Sequence, residues 1–248
     1  MPIVAYHFLT SPGRNYSFTS SEFPYVLDAA AFREHLEGLF ASGYRTLRLA
    51  DYVVGRELPA RPVALTFDDG HLSCLEMALE LLIENEATAA FFIPTDAIGQ
   101  PERLAREQIV ELSRLGMEIG SHGCSHRALT ALTFAEMKDE LKRSKQTLED
   151  ITGSQVGLLA LPHGFGSRGI ERAAREAGYE AICTSRFGLN QRQHGAYCLN
   201  RIGLKGPTAW VELESLLKEG SAPYRRELAV DRVKGLAKWV LQTHKRCD

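Results

Sequence analysis

Neither sign of charge dominates this sequence: 29 Lys and Arg stand against 31 Asp and Glu, a formal net charge of -2. The balance excludes the broad positive field expected of a protein that grips an extended polyanion, so no nucleic-acid partner is expected. No apolar run is long enough to span a bilayer. The opening MPIVAYHFLTSPGRNYSF lacks the basic start, sustained apolar stretch and cleavage site of a secretory leader, because His7 interrupts its apolar run. Cysteine is sparse: Cys74, Cys124, Cys183, Cys198 and Cys247 are odd in number, scattered, and form no C-x-x-C pair. That pattern argues against a disulfide framework and against a cysteine zinc site, and it leads to the expectation of a reducing cytoplasm. Internal repeats and low-complexity linkers are missing too, and 248 residues suit one large domain or two small ones, with ample length to bury a sizeable core.

What is present is alternation. Short apolar runs (PIVAYHF, VALTF, ATAAFFI, MEIGSH, GLLAL, YEAICT, YCLNRIGL) are separated by segments of helical periodicity. Phe32, Leu36, Leu39 and Phe40 repeat at helical spacing behind Asp28, a candidate N-cap. Thr133 and Glu136 have the capping-box spacing ahead of the Met137, Leu141, Ser144, Leu148, Ile151 face. This order predicts an α/β fold of parallel strands and crossover helices, either a barrel or an open doubly wound sheet. Near the C-terminus, Ala229, Val233, Leu236 and Val240 share one helical face. The expectation is that this face covers the barrel, while the basic residues around it leave peripheral contact with an anionic membrane open.

Three polar clusters follow directly on apolar strands: DDGH, SHGCSH and PHGFGS. In barrels, loops at the strand C-terminal ends converge on one mouth, so distant segments can build one site. Asp68 and Asp69 are adjacent anions at the end of an apolar strand, an arrangement that calls for a positive charge nearby. His122 and His126, at i and i+4, would point the same way if the backbone made one helical turn. Two imidazoles and a carboxylate, with Asp69 the candidate, suit a divalent transition ion and leave positions for water and substrate.

TFDDG, SHGCSH and LPHGFG, in this order, resemble the first three motifs of the NodB-homology polysaccharide deacetylases, carbohydrate esterase family 4. VAYH, FREHLEGLFASGYRTLRLADY and CLNRIGL are also similar to bacterial members, so the resemblance covers most of the chain. It implies a distorted (β/α) barrel, seven-stranded in most members, that removes acetyl groups from sugars. On this reading residues 1–248 form a single catalytic domain, with a strand-helix extension over about 1–60 and a helical segment over about 208–246. The resemblance implies Asp68 as general base and Asp69, His122 and His126 as metal ligands, with zinc the first choice and nickel, cobalt or manganese compatible with the same donors. The implied substrate is an N-acetylated carbohydrate: a polysaccharide, an oligosaccharide or a lipid-linked sugar.

Two departures from the family pattern stand out. Ala160 and Leu161 precede Pro162 where the third motif carries an Arg, and His163 replaces an aromatic residue. The later motif whose His protonates the leaving group has no clear counterpart. His163, in the matching loop, is the candidate chosen for that role; His71 and His194 are substitutes, and His7 can line the mouth. Arg201 can approach the carboxylates from a late strand, whereas Cys124 reads as packing. Hydrolysis of another C-N bond, such as a formamide or cyclic amide, and a carbohydrate-binding homologue without turnover are the competing functions.

Overall fold

The computed structural model describes residues 1–191 and 197–244, the stretch 236–244 by its backbone alone. In chain order the elements are β1 (Ile3–Tyr6), β2 (Phe8–Thr10), β3 (Val26–Asp28), α1 (Ala29–Ala41), β4 (Arg45–Thr46), α2 (Leu49–Val53), β5 (Pro62–Phe67), α3 (Leu72–Glu84), β6 (Ala90–Ile93), α4 (Arg106–Arg114), β7 (Glu118–Ser121), α5 (Phe134–Thr152), β8 (Leu158–Ala160), α6 (Arg168–Glu176), β9 (Ala181–Cys183), β10 (Cys198–Leu199), β11 (Ile202–Gly203), α7 (Trp210–Leu217) and α8 (Ala222–His244). The expected caps form: Asp28 accepts from Ala30 N, and Thr133 and Glu136 complete a capping box on α5.

The strands make one parallel sheet in the order β10-β9-β8-β7-β6-β5-β1-β11, with β4 paired to the start of β5. The strands at its two edges, β10 and β11, are joined by Asn200 and Arg201 alone. Three peptide units span at most about 11 Å, so the sheet must curl until its edges nearly meet. This is the expected barrel, left open at a seam, with eight strands along its path where seven were expected. YCLNRIGL, which reads as one strand, is thus two short strands on opposite edges, and Arg201 sits at the seam. The first strand is likewise no appendage: β1 lies inside the sheet between β5 and β11. It breaks at His7, after which β2 leaves to pair with β3 in a separate two-stranded sheet.

Burial on both sides of the sheet explains the near-continuous apolar strands. Between the sheet and its helices lie Leu36, Leu82, Ile109, Leu141, Leu148 and Ile170, none of them more than 1% exposed. The C-terminal helix departs from expectation. Its first turn engages the body through Tyr224, whose ring lies 5.2 Å from that of Phe187. Ala229 and Val233 face solvent, Val233 at 68% exposure, so this half of the apolar stripe does not cover the barrel. The side chains of Leu236 and Val240 lie outside the described residues. No helix among the described residues is long and apolar enough to cross a membrane.

Candidate active site

At the C-terminal end of β5 the chain turns sharply. Asp69 has φ +68° and Gly70 φ +56°, a left-handed pair that separates the two adjacent carboxylates. Asp68 is 2% exposed and lies against the seam. There Arg201, 3% exposed, donates from Nη1 to Asp68 Oδ1 and from Nη2 to Oδ2, each at 2.7 Å. The guanidinium is itself held by Nε donating to Thr184 O at 3.0 Å and Nη1 to Thr66 Oγ1 at 3.3 Å. Burial alone would push the Asp68 carboxyl up, but Arg201 outweighs it and holds the group below its ordinary value. The arginine missing from the third motif is therefore supplied by the other end of the chain.

Asp69 turns the other way. Its Oδ1 lies 3.0 Å from His126 Nε2 and 3.4 Å from His122 Nε2, and the three donor atoms lie within 4.8 Å of one another. Burial would raise the Asp69 carboxyl, yet the two imidazoles hold it well below the usual range. His122 Nδ1 donates to Ala160 O at 2.8 Å, which fixes the ring and leaves Nε2 facing Asp69 and free to bind a cation. Burial would lower His122; its bond to Asp69 and the charge of Asp68 win and raise it. Two orientable nitrogens and one carboxylate oxygen suit a borderline divalent cation, so the donor chemistry fits. The histidines meet without a helical turn between them. Gly123 (φ +73°) and His126 (φ +57°) instead fold a loop that brings the rings to 4.9 Å, because β7 ends at Ser121 and α5 starts only at Phe134.

A cavity of about 860 Å3 opens over these groups. His163 borders it, but on the ligand side, its ring 5.0 Å from that of His126. The Gly164 N–H of the same loop is committed to Leu161 O at 2.8 Å. His7 borders the cavity on the Asp68 side, with Nε2 3.8 Å from Asp68 Oδ2. Its Nδ1 is buried and has no hydrogen-bond partner among the described residues, and the Tyr25 ring lies against its ring in a tilted arrangement, centroids 4.7 Å apart. Burial lowers His7, partly offset by Asp68 and Asp69. The signal for His7 was present in the sequence as an imidazole ending an apolar strand, but nothing in that pattern told a site residue from a satisfied one. His71 is elsewhere: it caps α3, Nδ1 accepting from Ser73 N at 3.2 Å, among Phe8, Tyr16 and Phe18. Cys124 is buried and packs as expected; His194 lies outside the described residues. Arg226, Val230 and Lys234 of α8 form the far wall of the cavity.

Residues 55–182, just over half of the chain, match the family model for polysaccharide deacetylases. That segment holds Asp68, Asp69, His122, His126 and His163, while His7 and Arg201 lie on either side of it. YxkH of Bacillus subtilis, which bears a provisional polysaccharide deacetylase name, is 27% identical over 224 residues, 87% of this chain and 77% of that protein. PdaA of the same organism, a peptidoglycan-N-acetylmuramic acid deacetylase, is 29% identical over 125 residues, 49% of this chain and 46% of its own length. Among solved structures, the Streptococcus pyogenes deacetylase PplD superposes with a TM-score of 0.78 at 23% identity, over 88% of this chain and 98% of that one. The Bacillus cereus polysaccharide deacetylase BC0361 gives 0.76 at 21% identity, over 88% and 68%. Both share the curled parallel sheet. The chain belongs to the polysaccharide deacetylase family.

Proposed function

We propose that this protein is a metal-dependent hydrolase that removes acetyl groups from an N-acetylated carbohydrate. The observation that carries the reading is the split of adjacent carboxylates into two environments, Asp69 facing His122 and His126, and Asp68 locked to Arg201. Asp69, His122 and His126 would hold the cation, zinc being our choice for two nitrogens and one oxygen. When bound, such an ion polarises a carbonyl and makes water more acidic.

The remaining chemistry belongs to the chain. Arg201 fixes the plane of the Asp68 carboxylate, so that Asp68 accepts a proton from the attacking water in one orientation. His7, 3.8 Å from Asp68 Oδ2, is placed to receive that proton and pass it to the departing sugar nitrogen as the C-N bond breaks. One of the water's protons thus ends on the departing nitrogen, giving the free amine, and the other stays on the new carboxyl group, which ionises to solvent to leave acetate. His7 is favoured over His163 for this step because His163 packs on His126, away from the base. His163 instead steadies a ligand ring and borders the bound sugar.

The peptidoglycan deacetylase name of PdaA supports a cell-wall glycan among the substrates to be tried. Acetate release from acetylated glycan fragments and lipid-linked sugars, measured with chelator and after adding zinc, tests the proposal. Release that stops with chelator and returns with zinc is expected. Formate or a ring-opened acid as product would move the reaction to another C-N bond, and sugar binding without any product would make the protein a carbohydrate-binding homologue.

A further inference from the structure

The loop that carries both histidine ligands is fastened from two sides. From below, its carbonyls Gly123 O and Cys124 O accept from Thr95 N and Asp96 N at 3.1 and 3.0 Å. From above, one oxygen of Glu140 on α5 accepts from Cys124 N at 3.0 Å, Ser125 N at 2.6 Å and Ser125 Oγ at 2.7 Å. The Glu140 backbone carbonyl also accepts from Cys124 Sγ at 3.3 Å. Glu140 approaches so closely that a Cβ on Gly123 would stand 3.4 Å from its Oε1.

We infer that Glu140 is a positioning residue for the metal centre: it holds residues 123–125 in the shape that lets His122 and His126 meet one cation. This rests on the metal-site reading above. Glu140 is not part of the donor cluster and does not line the cavity. Its effect passes through the loop. His126 adopts φ +57°, a conformation unfavourable for any residue with a side chain, and a free loop would relax from it. By accepting two consecutive N–H groups and a hydroxyl, the Glu140 carboxylate keeps the ligands in register before the ion arrives, so less ordering is required on binding. A helix residue bonded to a loop but to neither histidine would otherwise matter for folding alone, and the two roles separate in the following measurement.

Zinc affinity is measured by competition with a chromophoric chelator for the wild type, Glu140→Ala and Glu140→Gln, alongside the melting temperature of each in chelator. Glu140→Ala is expected to weaken zinc binding about 10- to 100-fold, the range found for partners of metal ligands. Glu140→Gln, whose amide oxygen keeps one acceptor, recovers most of that loss. A zinc affinity within twofold of wild type, whatever the change in melting temperature, would show a merely structural role and overturn the inference. If the wild type itself binds no zinc, the metal-site reading falls and this inference with it. Where Glu140→Ala is too unstable to measure, Glu140→Asp withdraws the carboxylate by one methylene; weakened zinc binding then supports the inference and unchanged binding overturns it.

Discussion

Removing Arg201 tests how much the buried pair at the seam does. Arg201 and Asp68 are 3% and 2% exposed, so in Arg201→Ala the Asp68 charge is left in the interior without a counter-ion. Breaking a buried pair from one side costs about 3–5 kcal/mol, against about 0–1 kcal/mol for an exposed pair. At roughly 2–4 °C per kcal/mol for a domain of this size, the melting temperature should fall by about 6–20 °C. Urea unfolding followed by tryptophan fluorescence, in chelator to remove any contribution from bound metal, reads the same quantity. A double-mutant cycle with Asp68→Asn isolates the pair. In that background Arg201→Ala removes a cation that has already lost its partner and should cost far less, so the two changes couple by about 2 kcal/mol or more. The pH dependence has a fixed sign. Arg201 holds folded Asp68 below its ordinary value of 3.8, so the unfolded chain binds that proton more readily. The pair's contribution is present above pH 3.8 and is lost as the pH falls through the folded value. A loss below about 1 kcal/mol in Arg201→Ala, or single effects that add within about 0.5 kcal/mol, would refute this account of the seam.

Three further outcomes are expected. His7→Gln should lower hydrolysis of an N-acetyl sugar by about 10²- to 10⁴-fold while leaving 4-nitrophenyl acetate hydrolysis nearly unchanged, because a phenolate leaves without a proton; the same selective loss in His163→Gln but not His7→Gln would reassign the acid. Burial, reinforced by the charge of Arg103, pushes His71 down to about 4 from 6.5, so between these pH values the unfolded chain binds a proton that the folded chain refuses. Stability should therefore fall with pH across that window by at most about 3 kcal/mol, with a shallower fall in His71→Asn, whose side chain still caps α3. Gly164→Ala should be strongly destabilising, since φ is +71° and a Cβ there would stand 2.8 Å from Ser185 N; urea midpoints check it.

The legible part of the site was the part written in short segments. Each proposed ligand and the proposed base lies in TFDDG or SHGCSH, directly after an apolar strand, where local pattern, chemistry and barrel topology agree. The sequence offered His7 for the mouth and Arg201 for the carboxylates, but not their shared place at Asp68, because that comes from closure of the sheet. Only when β1 inserts between β5 and β11, and two residues bridge the seam, do the chain's first and last strands meet at Asp68. YCLNRIGL could not reveal this, since two edge strands joined without a turn look like one strand. The i, i+4 spacing of His122 and His126 fits a helical turn, but it does not specify one. The actual loop depends on Glu140, Thr95 and Asp96, which are distant in sequence. Ala229 and Val233 on α8 are exposed for a different reason: amphipathic periodicity predicts which residues can be buried, not whether the fold brings anything to cover them.

The central claim is that Asp69, His122 and His126 hold one ion while Asp68, beside them, handles the proton. Asp68→Asn, loaded with zinc, separates the two tasks in one sample: metal content by elemental analysis and acetate release from an N-acetylated glycan fragment. One zinc per chain with turnover reduced by several orders of magnitude is the expected result. Acetate release close to that of the wild type, or zinc lost along with it, would contradict the division of labour between the two neighbouring carboxylates.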